Sequence, residues 1–113
     1  MINKLKKSMG LIKVDNQPSQ KEVFEKTESF IKFVNELGLK GEYEKCCVCG
    51  WNKTAVDMAH ILPKRKGGKV EASNISPLCP NHHREFDKNV ISHEAKVVIY
   101  QWILNILPKF EKN

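Results

Sequence analysis

Two short ligand pairs limit what this chain can fold into: Cys46-x-x-Cys49 and Cys79-x-x-His82, separated by twenty-nine residues. A tetrahedral zinc ion takes four soft or borderline ligands, and a two-residue spacer lets each pair grip the ion from one tight turn. The interval between the pairs exceeds that of a minimal zinc ribbon and has room for a strand, a loop and a second strand. A structural site of this kind supplies folding free energy on the order of 10 kcal/mol. A chain of 113 residues benefits from it, because one domain of that size buries only about two-thirds of its unfolded surface. Two other readings of the thiols stay open at this level. Cys46 and Cys49 could be a redox pair, although no β-α-β pattern surrounds them, and the thiols could be buried and free. Cys47 is off the two-residue rhythm and reads as an ordinary thiol. Gly50 suits the turn after the first pair, and Trp51 reads as packing.

Residues 1–17 carry lysines but no apolar run followed by small residues, so no secretory signal is read there. No uncharged apolar stretch is long enough to span a membrane. The expectation is a cytoplasmic chain in a reducing compartment, where cysteines serve as metal ligands or free thiols rather than as disulfides.

The length fits a single domain over residues 1–113, organised as an arm at 1–17, a helix at 19–38, a core at 46–89 and a helix at 92–107. Ser19 and Glu22 make a capping-box pattern. Val23, Phe24, Thr27, Phe30, Ile31, Val34 and Leu37 recur at three and four as an apolar stripe, and Gly38 stands where a helix ends in a left-handed residue. Thr54 to Leu62 reads as a strand stopped by Pro63, Asn74 to Leu78 as a second strand, and Pro80 as the first turn of a helix carrying His82, His83 and Phe86. Ser92 caps the last helix. Its apolar face is Ala95, Val98, Ile99, Trp102, Ile103, Ile106 and Leu107, and Pro108 marks its end. The fold class is α+β.

With His82 given to zinc and His93 read as structural, His60 and His83 remain. His60 ends a strand that starts from the first zinc pair, and His83 opens a helix beside the second, so the zinc ties both to one small unit. The run Asp57-Met58-Ala59-His60-Ile61-Leu62-Pro63, then Gly67-Gly68, Asn74 and Leu78-Cys79-Pro80-Asn81-His82-His83-Arg84-Glu85-Phe86-Asp87, resembles the HNH endonucleases. Within that family it is similar to the zinc-knuckle branch, which more often has cysteine where His82 stands. The resemblance covers about residues 46–88 and implies a small ββα-metal core flanked by the two helices.

By this resemblance the chain is a metal-dependent nuclease. His60 is the general base, Asn74 orients the His60 loop or completes the site, and His83 is a ligand to a catalytic divalent cation. A neutral imidazole can take a proton from water at physiological pH, and a cation can offset the charge that develops on the phosphate. Many members place an acidic ligand directly before the first histidine, but here that residue is Ala59. Asp57 points to the same side of an extended strand and is the substitute carboxylate. With so few ligands the catalytic ion could be Mg2+, Mn2+, Ni2+ or Zn2+, with softer ions favoured.

The net charge is +6, which makes a polyanion plausible without identifying one. Lys64, Arg65, Lys66 and Lys69 fall within six positions directly after His60, where a DNA backbone would approach, and Arg84 could reach another phosphate. Double-stranded DNA is the expected partner. A chain this small either binds with low specificity or acts as a homodimer. Two alternatives stand beside the enzyme: a zinc-stapled nucleic-acid-binding module without catalysis, and a structural zinc domain that mediates protein contacts.

Overall fold

The computed structural model describes residues 22–111. The expected arm at 1–17 and the Ser19 cap lie outside them. Helix α1 spans Thr27–Glu36, later than the expected start at residue 19. The reason is tertiary. The amide of Phe24 donates to the carbonyl of Val70 at 2.9 Å in an antiparallel bridge, and its ring packs on Phe30 and Phe33 at 5.8 and 5.0 Å. Residues 24–26 are therefore held outside the helix, and Lys26 is extended. Phe30, Phe33 and Val34 are buried, whereas Val23 is exposed. The helix ends as expected at Gly38, whose φ is +77°. Gly38 donates to Asn35 and Leu39 to Val34, a Schellman closure that satisfies the last carbonyls.

The chain then makes a 3-10 turn at Lys40–Tyr43, which buries Tyr43 between Phe30 and Trp102. Residues 46–51 form the first knuckle turn. Gly50 donates to Cys46 at 2.8 Å with φ +79°, and Cys46 donates to Trp51.

Strand β1, Asp57–His60, pairs antiparallel with β2, Ile75–Leu78, with Asp57 opposite Leu78 and His60 opposite Ile75. The first strand is shorter than the expected Thr54–Leu62, and Asn74 lies just before the second. The ladder gives way at Leu62, where a side chain takes over from the backbone partner. Pro77 within β2 has no N–H to give, and its carbonyl accepts from Cys47 at 3.0 Å, fastening the knuckle to the sheet.

Helix α2 spans Pro80–Asp87, with proline in its first turn as expected and Cys79 as its cap residue. It closes through Asn89 at φ +58°, which donates to Phe86 while Val90 donates to Glu85. Helix α3 runs from His93 to Phe110. The Oγ of Ser92 accepts from the amide of Ala95 at 3.1 Å, as the cap reading expects. The helix does not stop at Pro108. Phe110 is fully buried and stacks on Phe30 and Phe33. That packing offsets the hydrogen bond proline cannot make, which falls beside the exposed Leu104, where water can serve. Val98, expected on the apolar face, is exposed.

Two apolar clusters flank the hairpin. One joins α1, Tyr43, Val70, Ile75 and the end of α3 (Ile106, Phe110); the other joins Cys46, Cys79, Ala59, Leu78, Ile91 and the start of α3 (Ala95, Ile99, Ile103). Trp102 and Leu107 pack against both. The alternation of the strands explains the split: Met58 serves the first cluster and Ala59 the second. Helix α3 is thus a spine under both halves, and the result is an α+β fold with the hairpin and α2 of a ββα-metal unit. No helix of the described residues is long and apolar enough to cross a membrane.

Candidate metal centres and catalytic face

The knuckle turn and the cap of α2 bring Cys46, Cys49, Cys79 and His82 together, with their ligand atoms all within 4.8 Å of one another. The Nδ1 of His82 lies 3.6 Å from Cys46 Sγ and 3.3 Å from Cys79 Sγ, and Cys49 Sγ lies 4.0 Å from Cys79 Sγ. Ligands at ordinary zinc bond lengths stand about 3.8 Å apart for two sulfurs and about 3.6 Å for sulfur and nitrogen in a tetrahedron. The donor set and its spacing fit zinc. Burial opposes ionisation of Cys46, but hydrogen bonds from the backbone of Cys79, Cys49 and Val48 and from His82 outweigh it and bring the thiol down to about 7, toward the thiolate a metal needs. Cys47 stands outside the cluster, and burial pushes its thiol up to about 12. All four cysteines are free, and the inclusion of His82 suits a metal cluster better than a dithiol redox pair.

Two residues past β1 begins a loop that Asn74 holds shut. The amide of Leu62 donates to Asn74 Oδ1 at 2.7 Å, and Asn74 Nδ2 donates to the carbonyls of Leu62 at 3.1 Å and Lys69 at 2.9 Å. All three bonds go to loop backbone. The Asn74 side chain therefore ties the two ends of the loop after His60 together. Inside the loop Lys66 and Gly68 donate to the carbonyl of Pro63. A Cβ on Gly68 would run into the carbonyl of Leu62, so only glycine fits this turn, and Gly67 adopts φ +92°. Lys64, Arg65, Lys66 and Lys69 are exposed on it. Among the described residues none of them, nor Arg84, takes part in an ion pair.

His60 is partly buried, and its Nε2 is buried with no hydrogen-bond partner. Burial lowers its pKa from the ordinary histidine value; the charges of Lys64 and His83 push the same way, and Asp87 opposes them. The shift favours the neutral imidazole. His83, in the first turns of α2, is flanked by two carboxylates. Its Nδ1 lies 2.9 Å from Asp57 Oδ2 and its Nε2 lies 3.3 Å from Asp87 Oδ2. The Asp57 and Asp87 side chains are 45% and 59% exposed, so this face is open to solvent, as a site for an incoming phosphate must be.

Asp87 was not among the expected site residues. The available signal is its spacing: it follows His83 by four positions on one helix, which stacks the two side chains one turn apart. Two ligands of an octahedral ion at about 2.1 Å stand about 3.0 Å apart, close to the His83–Asp87 separation, so this imidazole–carboxylate pair fits a divalent cation. His93 heads α3 on the surface.

Residues 46–92 match the family model described as HNH endonuclease. Neither a curated protein nor a solved structure matches the chain.

Proposed function

With residues 46–92 forming an HNH-family segment, we propose that the chain is a metal-dependent endonuclease that hydrolyses phosphodiester bonds in double-stranded DNA. The observation that carries this reading is a solvent-open His83 flanked by the carboxylates of Asp57 and Asp87, in the same segment as a His60 that leans toward the neutral imidazole.

In the proposed reaction the neutral His60 imidazole takes a proton from a water molecule as the water oxygen bonds to phosphorus. The ester P–O bond breaks on the opposite side, and the leaving oxygen picks up a proton from solvent. Zinc on Cys46, Cys49, Cys79 and His82 would be structural. A catalytic divalent cation (Mg2+, Mn2+, Ni2+ or Zn2+) would be held by His83 and a neighbouring carboxylate, Asp87 or Asp57, and when bound would offset charge on the phosphate and the leaving oxygen. Asn74 keeps the His60 loop in place. Lys64, Arg65, Lys66, Lys69 and Arg84 supply the cations that phosphates along the duplex would meet.

The test is cleavage of supercoiled plasmid across a panel of divalent ions, native against His60→Ala. Native protein is expected to cut with at least one ion. His60→Ala is expected to fold and bind DNA in a salt-sensitive way while cutting about 100- to 10,000-fold more slowly. Linear rather than nicked product would point to a homodimer. One observation favours a second reading, a zinc-stapled DNA-binding module without catalysis: the position before His60 is the buried, ligand-less Ala59. Failure of native protein to cut under every ion, with DNA binding intact, would decide for that alternative.

A further inference from the structure

We propose that Asp57 is a positioning residue rather than a metal ligand: it accepts a hydrogen bond from Nδ1 of His83 and so turns the lone pair of Nε2 toward the cation. The inference rests on the nuclease reading and divides the labour between the two carboxylates that flank one imidazole.

The two nitrogens of a neutral imidazole are never equivalent. One carries the proton, the other the lone pair, and the hydrogen bond made by the first decides which is which. An ionised carboxylate can only accept. Both nitrogens face a carboxylate oxygen, Nδ1 that of Asp57 at 2.9 Å and Nε2 that of Asp87 at 3.3 Å; the shorter contact favours Nδ1–H in the neutral ring, and the lone pair then falls on Nε2. The ring nitrogens sit on different edges of the imidazole. The Asp57 oxygen engaged at Nδ1 is therefore directed away from an ion shared by Nε2 and Asp87.

The contact is also built into the fold. Asp57 opens β1 and pairs with Leu78; the next residue, Cys79, caps α2, and His83 donates its own backbone amide to the carbonyl of Cys79 at 2.9 Å. The hairpin register and the zinc cluster thus set the distance from Asp57 to the His83 ring. This kind of carboxylate support orients a ligating histidine and raises its basicity, and its loss typically weakens metal affinity 10- to 100-fold.

The experiment uses the full, zinc-loaded chain and four proteins: native, Asp57→Asn, Asp57→Ala and Asp87→Ala. Zinc content and far-UV circular dichroism first establish that each variant folds. Mn2+ titration followed by electron paramagnetic resonance gives the affinity, and two-dimensional 1H–15N correlation of the histidine rings without added Mn2+ gives the tautomer of neutral His83. Asp57→Ala is expected to weaken Mn2+ binding about 10- to 100-fold and to lose the Nδ1–H tautomer. The amide oxygen of Asp57→Asn can still accept from Nδ1, so this variant should keep that tautomer and most of the affinity. Asp87→Ala should keep the tautomer and lose more affinity than Asp57→Ala. The proposal is overturned if neutral His83 in the native protein carries its proton on Nε2, or if Asp57→Asn abolishes Mn2+ binding while Asp87→Ala leaves it intact. The expected tautomers and affinities in a protein that cuts no DNA would instead overturn the nuclease reading and leave the division of labour standing.

Discussion

Replacing Asn74 by alanine isolates the contribution of the loop that follows His60. The side chain is buried, and its three hydrogen bonds to the backbone of Leu62 and Lys69 are its only polar contacts among the described residues. A neutral hydrogen bond contributes about 1 kcal/mol net, so removing three would cost about 3 kcal/mol if the freed groups stayed dry. They do not all stay dry. Leu62 and Lys69 are exposed, and water can reach their backbone once the loop loosens, which brings the expected loss to about 2 kcal/mol. At this chain length that lowers Tm by roughly 8 °C, read by thermal unfolding of the zinc-loaded protein. The loss should also be local. The Leu62 amide should exchange with solvent faster than in the native protein, whereas amides in the middle of α3 should change only by the drop in global stability. Cleavage should fall at least tenfold, because His60 lies two positions before the loosened end. Asn74→Asp should be worse than alanine at pH 8 and recover toward pH 5, since an ionised carboxylate faces the two carbonyls and its protonated form can donate to one of them. A loss below about 0.5 kcal/mol, within the range of ordinary surface changes, with unchanged exchange at Leu62 would mean that Asn74 does not hold the loop.

Three further outcomes are expected. Removal of zinc by a strong chelator, or Cys79→Ser, should unfold the chain as seen by far-UV circular dichroism, because structural zinc contributes about 10 kcal/mol or more and a whole domain is stable by only about 5–15 kcal/mol; retention of the native spectrum would contradict a structural role. The four cations of the loop imply that log K for DNA falls with log salt at a slope of about −3.6 from them alone, and Lys69→Ala should reduce that slope by about 1 in a fluorescence-anisotropy titration. Gly68→Ala forces a methyl group against the carbonyl of Leu62 and should cost about 1–3 kcal/mol in urea unfolding, with weakened DNA binding; an unperturbed variant would mean that the turn is not held as described.

The Cys46, Cys49, Cys79 and His82 cluster could be read from the chain because its spacing is itself the physical constraint: two residues between the members of a pair is a local fact. The same holds for the caps at Ser92 and Pro80 and for the left-handed end at Gly38. What could not be read depends on partners far away in sequence. Phe24 leaves the helical pattern only because Val70 takes its amide, and α3 outlasts Pro108 only because Phe110 finds Phe30 and Phe33. Strand β1 is cut short by a side chain, Asn74, that replaces the ladder at Leu62. At the site, a histidine–aspartate pair four apart is ordinary on a helix surface, so Asp87 gained meaning only once the His83 ring was placed. The unpartnered Nε2 of His60 has no signature in the sequence at all.

In the proposed reaction a neutral His60 removes the proton from the attacking water, and the pH dependence of plasmid cleavage at saturating Mn2+ is the test of that step. Burial and the charges of Lys64 and His83 hold the His60 pKa below its ordinary value. The deprotonated form is the active base, so the native rate should rise with pH through a midpoint below about 6.5 and then level off. Lys64→Ala should move that midpoint upward, and His60→Ala should remove the rise and lower the plateau at least 100-fold. A His60→Ala variant that cuts as fast as native protein with the same pH profile would contradict the account.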